Sequence, residues 1–336
     1  MMHRARIALS LSLFVFVLLA AVVVQAESEP ADQPDASDTS TEEAPAPSPT
    51  ASGPYLWAWG GIGGGAFNSG LMGKIRVQLR HAALRNDSVL FQSTFVGAGL
   101  EVMLTPAFVH VGPRFSFRPV EVLDIDAHLL WMHVWKSSAG LLPFDQLTGT
   151  YESDRKAIKH LALVGNRLEA IISPTFKFKV GPVIGLWNAE WAFIHHLKPS
   201  GATSRYTYEP MRDLVVAWND VAVSNLAAIL VEVLDGTGPK GGPQPTLRFG
   251  PAMRDKQTVV SRDMSTAVGG AISFKPGPKP GWPSVFLAVM GYVRDNDRRF
   301  KEPQIQVQIS WELEKSLKKK DPAMEAVAAL KSGGIR

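Results

Sequence analysis

The sequence predicts an all-β protein, an antiparallel transmembrane β-barrel of about twelve strands. Two-residue periodicity, turn signals between the periodic stretches and aromatic residues near strand ends all indicate it. The clearest stretch is Gln304–Glu314, in which every even position is polar and every odd position is apolar. Because successive strand side chains point to opposite faces, this segment has one apolar and one polar face. Eleven residues of about 3.3 Å each, tilted by about 45°, rise roughly 25 Å, the height of a barrel's apolar band.

The chain begins with two segments that do not belong to the barrel. Residues 1–26 combine basic residues, an apolar run from Ile7 to Val24 and a small-residue site that predicts a signal peptide cleaved near Ala26. The alternative is an uncleaved membrane anchor, since the apolar run is just long enough to span. Residues 27–54 are rich in Pro, Ala, Ser and Thr and hold seven acidic and no basic residues, which predicts a disordered linker.

Charge and cysteine content exclude several classes of protein. Residues 55–336 hold 33 basic and 24 acidic residues, a net charge of +9, of which the body 55–314 accounts for +5. This mild and evenly interspersed excess argues against a nucleic-acid partner. The chain has no cysteine, which excludes disulfides, thiolate metal sites and a lipid-modified N-terminal cysteine.

Alternation predicts each strand of the barrel in order. The first strand is glycine-rich, the second alternates basic residues with Ile75, Val77 and Leu79, and the later ones alternate in the same way between turn signals. The predicted strands are 55–63, 74–81, 89–103, 107–118, 121–135, 167–180, 183–197, 221–234, 246–256, 267–275, 284–294 and 303–314. With an even number of strands, the start of the first strand and the end of the last strand lie on the same side of the membrane.

Two long loops interrupt the pattern, at 136–160 and 198–220. A short helix at Ser153–Val164, capped by Ser153, is compatible with the first loop. Residues 209–234 fit either a helix beginning at Pro210 or two strands joined at Asn219-Asp220. Two strands would make thirteen, an odd number, so we expect a short folded segment within 198–220 and the eighth strand at 221–234.

Aromatic residues cluster towards both predicted rims. Tyr55, Trp57, Trp59 and Trp311 fall near one rim, and Trp131, Trp135 and Trp191 fall towards the other. Two aromatic girdles are typical of a lipid-facing barrel wall. The alternative is a soluble sandwich or barrel in which the apolar face forms a core, since soluble sheets also alternate.

The polar face carries charges of both signs, which we predict to line the lumen. These residues are Lys74, Arg76, Arg80, Glu101, Arg114, Arg118, Asp124, Asp126, Glu169, Lys177, Lys179, Glu190, Glu232, Arg248 and Arg254, with Glu312 on the same face. One interpretation is a polar lumen that selects solutes by charge. The other is a ladder of cross-strand ion pairs that fills a narrow barrel, favoured locally because Arg114 and Arg118 face Asp124 and Asp126.

The combination of signal, linker, amphipathic strands and rim aromatics resembles Gram-negative outer-membrane β-barrels over residues 55–314. The resemblance implies an outer-membrane location with both termini in the periplasm, and outer-membrane lipid and the barrel-assembly machinery as partners. Such barrels often end on an aromatic residue that the assembly machinery recognises. Here Trp311 and Leu313 are followed by a basic tail, 315–336, in which 322–331 forms either a short amphipathic helix or a frayed, solvated end.

The predicted function is a channel or binding barrel for a small polar or charged solute, monomeric or weakly oligomeric, gated by the two long loops. The alternatives are an envelope enzyme acting on lipid or lipopolysaccharide and a closed structural or adhesive barrel. Some outer-membrane lipid hydrolases carry a His-x-Ser dyad, which this sequence lacks, so enzyme activity is the weaker hypothesis. No cofactor is expected: adjacent strand residues such as His195 and His196 face opposite sides, and Gly60–Gly65 lacks a following P-loop lysine, so we expect close backbone packing at the barrel seam.

Overall fold

The computed structural model describes residues 54–66, 70–83, 89–91, 93–135, 141–144, 162–199, 202, 204–209, 211–212, 214–237, 243–277, 282–295 and 303–316. The predicted signal peptide, most of the linker, most of the basic tail and the core of the predicted 153–164 helix lie outside these residues. Within them the strands are β1 (Pro54–Ala66), β2 (Gly70–Ala82), β3 (Phe95–Leu104), β4 (Phe108–Val120), β5 (Leu123–Val134), β6 (Pro143–Phe144), β7 (Gly165–Val180), β8 (Val183–Leu197), β9 (Tyr206–Glu209), β10 (Leu214–Ala217), β11 (Asn219–Thr237), β12 (Pro243–Thr258), β13 (Met264–Lys275), β14 (Ser284–Asp295) and β15 (Pro303–Ser316).

Twelve of these strands close into an antiparallel barrel, as predicted, and β6, β9 and β10 form a separate small sheet. Consecutive barrel strands pair with one another, and β1 pairs with β15 to close the ring, with Tyr55 opposite Ser316 and Ala66 opposite Ile305. The end of the barrel where Pro54 and Ser316 lie is called the terminal end, and the end where the two long connections lie is called the loop end. No helix in the described part of the chain is long and apolar enough to cross a membrane.

The apolar face of the barrel points outwards. Along β3, side chains alternate strictly between buried and exposed near both ends of the strand, and Val96, Leu100 and Val102 are on the exposed side. Each of the twelve barrel strands exposes at least two large hydrophobic side chains. A soluble barrel would bury this face, so its exposure confirms the transmembrane fold class and argues against the apolar face as a core.

Most strand bounds agree with the prediction, and the predicted seventh strand coincides with β8. The third strand was placed too early, because Val89–Phe91 forms a short 3-10 turn and β3 begins only at Phe95. The ambiguous stretch 209–234 forms β10 and then β11, of which only β11 joins the barrel. The argument from an even strand number therefore chose the correct alternative.

The prediction of an aromatic girdle is wrong for the first strand. Trp57 is buried inside the barrel, and the guanidinium of Arg80 lies 3.7 Å from its ring centroid, while Arg76 lies 4.8 Å from that of Trp59. Cation–π contacts give these rings a stabilising place in the lumen. At the other rim Trp131 is exposed on the outer face, as expected of a girdle residue.

The two long connections fold back as the small sheet, which we call the plug. β6 comes from the connection between β5 and β7, and β9 and β10 come from the connection between β8 and β11. Tyr208 and Val216 are fully buried, and Leu214 and Val216 pack in one cluster with Leu130 and Ile171 of the barrel wall. The predicted folded segment in 198–220 is therefore a part of the barrel's interior.

Neighbouring strands of the barrel wall approach each other very closely at four glycines. A Cβ on Gly99 of β3 would lie 1.9 Å from the carbonyl oxygen of Val77, and one on Gly250 of β12 would lie 2.0 Å from that of Ile229. Gly112 of β4 and Gly269 of β13 meet carbonyl oxygens of the next strand at 2.0 Å in the same way, so only glycine fits at these positions. In the ring order β3 and β4 lie opposite β12 and β13, so the two pairs of glycines are on opposite sides of the barrel.

Candidate functional site

The first feature of the lumen is a layer of charge centred on Glu101 of β3. This carboxylate is 2% exposed and lies 2.6 Å from Lys74 Nζ, 2.8 Å from Arg76 Nε and 2.9 Å from Arg114 Nη1. A buried carboxylate needs such partners to offset its loss of hydration. Glu101 therefore holds three predicted lumen cations together in one place.

Neighbouring side chains extend this layer across β2 to β5. Arg114 Nη2 lies 2.6 Å from Asp126, and Gln78 donates to Ser116 Oγ at 2.7 Å. His128 Nδ1 lies 3.5 Å from Glu101 Oε2. The predicted pairing of strand four with the carboxylates of strand five is thus present, and it belongs to a larger network.

A second layer of charge joins the plug to the wall. Arg167 lies 2.6 Å from Glu169 on the same strand and 3.0 Å from Glu209 of β9. Arg212, in the turn after β9, lies 3.0 Å from Glu169 and 2.7 Å from Glu190. Arg167, Glu169 and Glu209 are fully buried. Two arginines and three carboxylates therefore hold the plug inside the barrel.

Arg212 remains charged in this position. Burial lowers the pKa of its guanidinium, but the carboxylates of Glu169, Glu190 and Glu209 outweigh burial and raise that pKa above its ordinary value. A permanently charged, buried arginine depends on its carboxylate partners. Arg212 is accordingly the main electrostatic link between plug and wall.

Hydrogen bonds anchor the plug at a second place, the turn between β12 and β13. Asp263 Oδ2 accepts from the backbone N–H of Val215 at 2.7 Å, and Ser261 Oγ donates to the Val215 carbonyl at 2.8 Å. Lys256 Nζ donates to the Arg212 carbonyl at 2.8 Å. The plug is thus bonded to barrel strands on both sides of it.

Further ion pairs lie near the terminal end. Asp124 pairs with Arg118 and Lys177, and Glu232 pairs with Lys179 and with Arg248, the last at 2.7 Å. Thirteen of the fifteen predicted lumen residues therefore take part in ion pairs. In the described part of the chain, most of the predicted lumen charges therefore pair with one another across the strands.

Arg80 and Arg254 are the two predicted lumen residues that have no ion pair among the described residues. Arg254 donates to Gln306 Oε1 at 3.3 Å. Arg80 is 8% exposed, donates from Nε to Gln78 Oε1 at 3.1 Å, and lies between the rings of Trp57 and Phe95. These two arginines carry positive charge that the ladder does not neutralise.

A polar cavity of about 250 Å³ lies between the Glu101 layer and the terminal end. Five basic and three acidic side chains line it, together with aromatic rings. The basic ones are Arg76, Arg80, Arg114, Arg118 and Lys177, and the acidic ones are Asp124, Asp126 and Glu312. The cavity is therefore polar and charged, with more basic than acidic side chains in its lining.

The part of the wall formed by β11 to β14 carries an apolar cluster on its inner face. The inward residues of β11 to β14 are mostly small and apolar, and Ala228, Ala252, Ala267, Ala271 and Ala288 form one buried cluster with Met290 and Tyr292. Ile184, Leu186 and Phe286 pack against that cluster. This cluster is uncharged, and the charges of β11 and β12, such as Glu232, Arg248 and Arg254, lie in the lumen outside it.

No metal centre appears in the described part of the chain, where no group of three or more His, Asp or Glu side chains is placed to hold an ion. His195 is exposed and contacts Asn219, whereas His196 is buried and packs edge-on against Trp218. The two imidazoles therefore point to opposite faces of β8.

Sequence reasoning missed Arg167, Glu209 and Arg212. Arg167 has the same parity as Glu169 at the start of the predicted sixth strand, so alternation alone places it on the inner face. Glu209 and Arg212 fall in a loop where no periodicity applies. Their roles depend on contacts with distant strands.

No family model matches the sequence, and no curated protein matches it. Solved structures similar to the chain include the β-domain of the Bordetella autotransporter BrkA, at 8% identity over 77% of this chain and 98% of that one, with a TM-score of 0.40. LpxR from Salmonella typhimurium has 8% identity over 76% of this chain and 99% of its own, with a TM-score of 0.34. The Vibrio cholerae outer-membrane protein OmpT has 7% identity over 77% and 98%, with a TM-score of 0.28.

Proposed function

We propose that this protein is an outer-membrane barrel that admits a small polar or charged solute through a lumen closed by its own plug. The plug carries the proposal, because both predicted gate loops contribute strands to it and it lies inside the barrel. The exposed apolar face on all twelve strands supports the membrane location. Below the plug, the lumen is lined by charged groups and opens into a polar cavity.

In this proposal, the ion pairs of Arg212 hold the plug in its closed position. The guanidinium joins a connecting turn to Glu169 and Glu190 of the wall, so its loss removes the plug's main electrostatic link. The backbone hydrogen bonds that close the barrel join barrel strands to one another and do not involve Arg212. We therefore expect plug variants to remain folded barrels.

Single-channel conductance in a planar bilayer tests the proposal. The wild-type protein should remain closed for most of the recording, and Arg212→Gln combined with Glu190→Gln should open it for much longer times. Arg248→Gln is the matched control, because Arg248 pairs with Glu232 away from the plug. A folded double variant without current steps, verified by the change in gel migration on boiling, would count against a gated channel.

A closed structural barrel is the second candidate. The observation that favours it is the pairing of thirteen predicted lumen charges, since saturated ion pairs fill space and leave few groups for a solute. Such a barrel would give no current in the wild type or in the Arg212 variant. The conductance experiment therefore distinguishes the two candidates.

A further inference from the structure

We propose that the cavity near the terminal end binds a small oxyanion, a carboxylate or a phosphate, with Arg80 as its principal ligand. The cavity lies on the opposite side of the Glu101 layer from the plug. Its ligand would enter from the terminal end and would not need the plug to open. The proposal is therefore separate from the gated channel.

Arg80 is held as a preformed donor. The ring centroids of Trp57 and Phe95 lie 3.7 Å and 4.1 Å from its guanidinium carbon, so both rings contact the group and restrict its movement. A guanidinium has five N–H donors, of which Gln78 takes the one on Nε and the Tyr55 hydroxyl lies within hydrogen-bonding distance of the group. The remaining donors match the geometry of a carboxylate or a phosphate.

The charge around Arg80 also favours an anion. Arg118 shares the Phe95 ring, at 5.1 Å, but it pairs with Asp124 and is therefore neutralised locally. Among the cations that line the cavity, Arg80 is the one without a direct ion pair in the described residues. The nearest carboxylate that attracts it, Glu312, is too far for an ion pair and accepts a hydrogen bond from the Trp57 indole. Five cations stand against the three lining carboxylates and the adjacent Glu101, which pairs with Arg76 and Arg114. The excess is one positive charge, in a partly enclosed space where charges act more strongly than in bulk water.

The size of the cavity limits the ligand. A volume of about 250 Å³ corresponds to about eight water molecules at roughly 30 Å³ each. Pockets for drug-sized ligands begin at roughly 300 Å³. Inorganic phosphate and small di- or tricarboxylates fit this space, whereas a nucleotide or an oligosaccharide exceeds it.

Isothermal titration calorimetry on the detergent-solubilised protein, at low ionic strength, tests the site with inorganic phosphate and with citrate in separate titrations. Saturable binding of at least one anion is expected, and the stronger of the two identifies the class of ligand. Arg80→Gln should weaken binding by about tenfold or more, because a charge-assisted pair is lost. Arg80→Lys should bind with intermediate affinity, since it keeps the charge and loses the planar fork.

Arg254→Gln is the matched control, because Arg254 is also an unpaired lumen arginine but does not line the cavity. Its affinity should equal that of the wild type. The plug variant Arg212→Gln should also bind normally, so the gain of conductance in plug variants and the loss of anion binding in Arg80→Gln are independent results, and one proposal can fail without the other. Wild-type protein that binds neither anion, or equal affinity of wild type and Arg80→Gln in folded barrels, would overturn the site.

Discussion

Replacing Glu101 with glutamine tests whether the central charge layer stabilises the barrel. Glu101 is 2% exposed and compensates Lys74, Arg76 and Arg114, of which Arg114 is itself almost fully buried. Glutamine keeps the size of the side chain and removes its charge. The substitution would leave three cations close together, with Asp126 as the carboxylate that pairs with Arg114.

The magnitude follows from the burial of the partners. Removing one member of a buried ion pair costs about 3–5 kcal/mol, because the remaining charge is left without compensation. Lys74 and Arg76 are 18% and 24% exposed, so solvent screens part of their charge. We therefore expect Glu101→Gln to lower the free energy of unfolding by about 3 kcal/mol, at the lower end of that range.

Glu232→Gln is the matched control. Its carboxylate is 3% exposed, but its partners Lys179 and Arg248 are 54% and 38% exposed and can return to solvent when the carboxylate is lost. Pairs with solvated partners contribute about 1 kcal/mol or less. Urea unfolding of both variants refolded into lipid vesicles, followed by tryptophan fluorescence, gives the two values. If Glu101→Gln were no more destabilising than Glu232→Gln, the proposed dependence on partner burial would be refuted.

Two further pairs of substitutions test the wall itself. Gly99→Val should prevent formation of the compact band that unboiled barrels give on a denaturing gel, because a Cβ there would lie 1.9 Å from the Val77 carbonyl oxygen. Gly60→Ala is the control and should fold normally, since a Cβ there has no atom within 4 Å. Equal yields of folded barrel from the two variants would contradict the close approach at Gly99. Leu100→Arg, at an exposed mid-strand position, should cost about 2–4 kcal/mol in lipid, and Leu104→Arg, at the strand end, about 0–1 kcal/mol. Equal costs in lipid unfolding experiments would argue against a bilayer around this face.

The barrel was predictable because each strand carries its own pattern. Alternation is local, so Gln304–Glu314 identifies its strand without any knowledge of the neighbouring strands. For residues 209–234, the requirement of an even strand number correctly predicted that a single strand joins the barrel. The first strand shows where the pattern fails. Trp57 and Trp59 count as apolar in an alternation, but an aromatic ring also accepts a cation, and Arg80 and Arg76 supply one inside the barrel.

The plug was not predictable for a different reason. Its strands have two to four residues, too few to show a period, and in β10 every residue from Leu214 to Ala217 is buried. The plug is defined by partners far away in the sequence, such as the bond of Val215 to Asp263. The same holds for Arg80, because only the assembled lumen shows which of many arginines makes no direct ion pair.

The wall glycines limit where this barrel can accept a side chain. At Gly99 and Gly112 on one side of the ring, and at Gly250 and Gly269 on the other, the first side-chain carbon would lie 2.0 Å or less from a backbone carbonyl oxygen of the next strand. A backbone carbonyl cannot rotate aside as the end of a flexible side chain can, so the two strands themselves would have to separate. Substitution at these positions therefore strains the hydrogen bonds that close the barrel, whichever side chain is introduced.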